Sequence, residues 1–110
     1  MYVLTSKSAV GTHYLSEIIC SYEQLVKVLG EHNNEGDGYK VTTEWVVEGP
    51  EGEILTVYDW KATHAYDSSD ESLTLKQLRS GMDVYWHIGG SSLAAAEKLH
   101  QYITAKIKEG

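Results

Sequence analysis

The feature that most constrains this chain is a strict alternation on either side of one tight turn. In YKVTTEWVV, Tyr39, Val41, Thr43, Trp45 and Val47 share one side, while Lys40, Thr42, Glu44, Val46 and the next residue, Glu48, share the other. A period of two is that of a strand with two unlike faces. Gly49-Pro50-Glu51-Gly52 follows, with proline at the second turn position and glycine at the fourth, where each is favoured. Residues 53–60 (EILTVYDW) return as a second strand, so the spacing predicts an antiparallel hairpin.

Weaker signals surround it. Residues 1–6 and 12–20 read as strands. Ser21 with Gln24 forms a capping-box start to a helix that places Tyr22, Leu25, Val26 and Leu29 on one face and stops at Gly30. Residues 31–38 and 62–72 are polar loops, the second expected to be mobile, and residues 73–80 read as a short helix ended by Gly81. Asp83–Ile88 (DVYWHI) alternates again, with Val84, Trp86 and Ile88 on one face and Tyr85 and His87 on the other. Gly89-Gly90 is expected to break this strand. Ser91 or Ser92 then caps a last helix to about Lys108, with Leu93, Ala96, Leu99, Ile103 and Ile107 as its buried stripe. The order predicts an α+β fold in a single domain spanning 1–110: an antiparallel sheet of about five strands with a central hairpin, and two or three helices packed on one face.

Composition narrows the function. The formal charge is −7, and residues 31–59 account for all of it, with eight acids against the single base Lys40. Such a surface repels phosphate backbones and lacks the counterion-release drive of nucleic-acid binders, so no direct nucleic-acid contact is expected. No apolar run is long enough to span a membrane, and MYVLTSKSAV lacks the apolar core of a signal peptide, so a soluble cytoplasmic chain is expected. The single cysteine, Cys20, excludes an intramolecular disulfide and a multi-cysteine zinc site. It precedes a helix start, where a thiolate is favoured, but a buried structural cysteine is the commoner outcome. Phenylalanine is absent, so packing falls to eight tyrosines and three tryptophans, each with a polar handle that wants a partner when buried.

Two clusters are site-like. Trp86-His87 leads into Gly89, Gly90, Ser91 and Ser92, where glycines admit a close ligand and a helix start offers free N–H groups to phosphate. The plainer account is a tight turn with a serine cap. Tyr58-Asp59-Trp60-Lys61 ends the hairpin, with Tyr58 and Trp60 directed one way and Asp59 and Lys61 the other. If the two clusters pair side by side, rings and charges converge on a nucleotide-sized space; the plainer account is a core edge with an ion pair. The histidines His13, His32, His64, His87 and His100 show no metal-ligand spacing, and His64 with Asp67 and Asp70 is a weak cation candidate at best. No cofactor and no metal are expected. His87 is the one acid–base candidate, with Asp59 as its only prospective carboxylate, which makes a small His-dependent hydrolase a minor reading.

The run of motifs, with TVYDWK and WHIGG as its most specific members, resembles small, poorly characterised proteins encoded by bacteriophages and large DNA viruses over about residues 21–105. That origin implies a non-enzymatic binding protein that counteracts host defence, and Tyr58, Trp60, Trp86, His87 and the Gly89–Ser92 helix start favour one that sequesters a nucleotide-like signal molecule. Lys61 or Arg79 would add charge pairing, and a homo-oligomer would bring Arg79 or Lys98 from a neighbouring chain. The alternatives are an acidic inhibitor of a host defence protein, acting as a nucleic-acid mimic through Glu44, Glu48, Glu51 and Glu53, and a virion-assembly protein.

Overall fold

The computed structural model describes residues 1–68 and 72–110. Its elements are β1 (Val3–Leu4), β2 (His13–Ser21), α1 (Tyr22–Leu29), β3 (Glu44–Glu48), β4 (Ile54–Tyr58), α2 (Leu75–Leu78), β5 (Asp83–Gly90) and α3 (Leu93–Glu109). The five strands form one sheet in the order β1-β3-β4-β5-β2, and every neighbouring pair is antiparallel. The fold class is α+β, as the alternation and the helix stripes predict. Among the described residues no helix is long and apolar enough to cross a membrane.

The hairpin forms where expected. Glu48 pairs with Ile54, and Pro50-Glu51-Gly52 closes the loop through Gly52 N–H to Gly49 C=O at 3.0 Å and Gly49 N–H to Glu53 C=O at 2.8 Å. Gly52 takes φ +83°, the left-handed residue that a three-residue hairpin loop needs. The first strand is shorter than its alternation, beginning at Glu44 instead of Tyr39. Side-chain acceptors divert the backbone before that point. Asp37 Oδ1 takes the N–H groups of Tyr39 and Val41, and Asp59 takes those of Thr42 and Thr43. Asp and Asn side chains compete with ladder bonds in this way, and the alternation cannot register it.

The core lies on one side of the sheet. Trp45, Val47, Leu55, Val57, Val84, Trp86 and Ile88 meet Leu25 and Leu29 of α1 and Ala96, Leu99 and Ile103 of α3. Each large aliphatic side chain so enclosed stabilises the fold by about 1.5–3 kcal/mol. Trp45 and Trp86 stand edge to face at 5.4 Å and 82°, and both satisfy their indole N–H: Trp45 donates to Gly30 C=O at 2.7 Å, Trp86 to Cys20 C=O at 2.9 Å. The capping box of α1 forms between Ser21 and Gln24, and Gly30 closes that helix at φ +94°. In α3 the expected stripe holds except at Leu93, which is exposed in the first turn.

Gly89 and Gly90 do not break β5; the strand runs through both. The reason is packing inside the sheet. A Cβ on Gly89 would stand 2.5 Å from Thr56 Oγ1, and one on Gly90 would stand 3.3 Å from Leu55 Cδ2. The expected helix over 73–80 contracts to Leu75–Leu78, capped by Thr74 and Gln77. The 62–72 loop is anchored where it is described: Leu73 N–H reaches Ala62 C=O and His64 N–H reaches Leu73 C=O. Its residues 69–71 lie outside the described residues.

Candidate ligand-binding face

Helices cover one face of the sheet, and the alternation of β2, β4 and β5 sends a second set of side chains to the other. Cross-strand partners on that face are Glu17 with His87, Ile19 with Tyr85, and Tyr58 with His87. Towards one end the face is closed: Lys7 ion-pairs with Glu48 at 3.0 Å, and Val46 and Thr56 are buried. The open part is the end that carries His87. Ile19, Tyr85, Tyr14, Met82 and Trp60 are all exposed there, between 42% and 65%.

Four aromatic rings surround His87. Centroid separations are 4.3 Å to Tyr14, 5.5 Å to Tyr58, 6.0 Å to Trp60 and 6.1 Å to Tyr85. The Trp60 and His87 planes lie within 19° of parallel, whereas Tyr58 and Tyr85 stand nearly on edge to the imidazole. Beside these rings the surface dips into a hollow of about 510 Å³ bounded by Trp60, Lys61, Asp67, Asp83, Tyr85 and His87. That volume is within the range of small-molecule sites.

The electrostatics are set by few groups. Burial lowers the pKa of His87, and Glu17 across the strand pair works in the opposite direction. Tyr14 donates its hydroxyl to Glu17, which raises the Tyr14 pKa to about 12. Burial, and next the Asp59 carboxylate, push Glu44 above the usual carboxylate range, and burial followed by Glu44 raises Tyr58. Two ammonium groups lie by Trp60: Lys61 Nζ is 5.4 Å and Lys40 Nζ 5.9 Å from a Trp60 ring centroid. Such cation–π contacts contribute about 0.5–1 kcal/mol at exposed sites.

The residues that the sequence groups as one pocket separate into three environments. Tyr58, Trp60, Lys61 and His87 converge on the open face. Trp86 is on the opposite face, fully buried in the core. Gly89 and Gly90 are packed within the sheet, and Ser91 and Ser92 follow them, roughly 10 Å or more along the strand from His87 at about 3.4 Å per residue. Ser92 Oγ is engaged as the cap of α3, accepting from Ala95 N–H at 3.3 Å. The helix start therefore does not meet the rings. Asp59 does not reach His87: it is fully buried and accepts from Thr42 N–H at 2.8 Å, Thr43 N–H at 2.9 Å and Thr42 Oγ1–H at 2.7 Å. The carboxylate facing His87 is Glu17. Lys61 joins the Trp60 side instead of the Asp59 side because its φ of +57° turns the chain.

Other candidates have structural occupations. Arg79 bonds Thr43 Oγ1 and Thr42 C=O at 3.0 and 3.1 Å and ion-pairs with Glu35 at 3.0 Å. Of the acidic hairpin, Glu48 holds Lys7, Glu53 accepts Glu51 N–H at 2.9 Å, Glu44 is half-buried and Glu51 is exposed. Cys20 is enclosed, and burial pushes its thiol up to about 12. His64 Nδ1 contacts Ser72 Oγ at 2.7 Å, and Asp70 lies outside the described residues. The sequence reading missed Tyr14, Glu17, Lys40 and Tyr85. The alternation of DVYWHI already separated Tyr85 and His87 from Trp86; Tyr14 and Glu17 depend on the distant β2–β5 pairing, which leaves no local signal. No protein-family model and no curated protein matches the chain.

Proposed function

We propose that this protein is a binding protein that holds a flat, nucleotide-like small molecule on the open end of its sheet. The observation that carries the reading is the exposed Trp60 ring, nearly parallel to His87 and bordered by Tyr58, Tyr85 and the hollow. Exposed aromatic rings give a base a stacking surface, worth about 1–3 kcal/mol per base. Tyr85 and His87 sit on β5, and Trp60 follows the end of β4 beside the buried, hydrogen-bonded Asp59, so little ordering is lost on binding. Binding, as opposed to catalysis, fits the surroundings of His87: its facing carboxylate, Glu17, already holds the Tyr14 hydroxyl. Sequestration of a host signal nucleotide is the use we propose for such binding.

The test is a thermal-shift and fluorescence titration against cyclic di- and trinucleotides, ADP-ribose derivatives and common mononucleotides. Trp45 and Trp86 are fully enclosed, so quenching on stacking would report Trp60. A ligand at 100 times its dissociation constant should stabilise the fold by roughly 2.7 kcal/mol. Trp60→Ala should remove the shift while the variant stays folded. A panel in which nothing moves either the melting temperature or the emission overturns the reading.

A further inference from the structure

Resting on that reading, we infer that the site selects ligands by a phosphate group held between Lys40 and Lys61 at the Trp60 edge, so that it takes nucleotides and rejects nucleosides. Residues 31–59 contain eight acids and a single base, Lys40, and the fold brings the ammonium of that one base to the Trp60 ring, 5.9 Å from a centroid. Lys61 approaches the same indole at 5.4 Å. Among the described residues neither lysine is in an ion pair with a carboxylate. Asp67 and Asp83 also border the hollow, so the part of the site open to an anion is the ring with its two ammonium groups.

The backbone gives an independent reason. Lys61 is the sole non-glycine residue with positive φ among the described residues, at +57°. A lysine there carries a conformational cost that glycine would avoid, and such outliers concentrate at ligand sites. Its N–H donates to the Lys40 carbonyl at 2.7 Å, so one short hydrogen bond sets the spacing of both lysines. The same turn carries the Lys61 side chain off the Asp59 side to a place between Trp60 and Tyr66, 5.4 and 5.1 Å from their ring centroids. A base stacked on the indole would take the place of the ammonium groups over the ring and free them to pair with its phosphate.

Calorimetric titration of the full chain with adenosine, guanosine and their 5′-monophosphates tests this, with Trp60 emission as a second readout. The monophosphates should bind at least about tenfold more tightly than the nucleosides, the scale of one charge-assisted contact. Lys40→Ala and Lys61→Gly should each erase most of that difference. Equal affinity for nucleoside and monophosphate, with Trp60 still quenched, overturns the phosphate clamp and leaves the stacking site standing. Absence of binding by all four, with unchanged emission, overturns the phosphate clamp, and the stacking reading falls with it when the cyclic nucleotides and ADP-ribose derivatives also leave emission and melting temperature unchanged.

Discussion

Trp60 and Trp86 differ in environment more than in chemistry, and substitution should separate them. Trp86→Ala would empty a fully enclosed site and orphan the Cys20 carbonyl, so a loss of about 3–5 kcal/mol in unfolding free energy is expected by denaturant titration. Trp60→Ala removes a part-exposed ring with two cation–π partners and should cost about 1–2 kcal/mol, well below the Trp86 loss, while abolishing ligand quenching. Similar losses for both would place Trp60 in the core and remove the site. His87 adds a pH dependence. Burial holds its folded pKa below the unfolded value of 6.5, so between those values the unfolded chain binds more protons. Stability should therefore rise with pH through that window, and acidification from neutrality should lower the melting temperature. His87→Gln should flatten this dependence, and an unchanged acid slope in that variant would show that other groups carry it. The imidazole is half-buried, so solvent screening keeps the effect modest.

Asp59 shows how one buried carboxylate can set an element's length and aim a site. It ends the run Tyr58-Asp59, directly before Trp60, and its three hydrogen bonds fasten residues 42–43 beside the end of β4. Asp59→Ala would leave two backbone N–H groups and a hydroxyl without their acceptor, at a cost of about 3 kcal/mol or more. Asp59→Asn keeps one oxygen for the two N–H groups and should recover most of it. Ligand affinity should fall with the alanine variant, since Trp60 and Lys61 lose their anchor. An alanine variant as stable as the parent would show the clamp to be idle. This network also explains what was legible in the sequence. The hairpin, the Ser21–Gln24 capping box and the helix stripes are local patterns, and each carries its own geometry. The Asp59 clamp, the Glu17–His87 pairing and the positive φ of Lys61 join residues far apart or depend on tertiary contacts. Gly89 belongs with them: read locally it ends a strand, whereas its lack of a side chain makes room for Thr56 on the adjacent strand. Gly89→Ala should destabilise the fold by about 1–3 kcal/mol, and Thr56→Ala in the same chain should restore part of the loss.

At the scale of the whole molecule, the sheet is two-sided: one face packed by α1 and α3, the other open at its His87 end, in a chain of net charge −7. An exposed aromatic sheet face can also be read as a single-strand nucleic-acid platform, and the charge argues against that here. A polynucleotide binder tracks the phosphate backbone with many cations and loses affinity steeply as salt rises. This chain sets two lysines at Trp60 and carries −7 overall, so a single nucleotide meets local attraction while a longer strand meets net repulsion beyond the site. The repulsion between exposed charges is screened over about 10 Å at 0.1 M salt. Titrations of a 5′-monophosphate and of an oligonucleotide several times longer than the site should therefore diverge. Added salt should weaken the monophosphate modestly and strengthen the oligonucleotide, the reverse of an ordinary nucleic-acid protein. A steep loss of oligonucleotide affinity with salt would instead mean that the open face, not the net charge, governs what the protein binds.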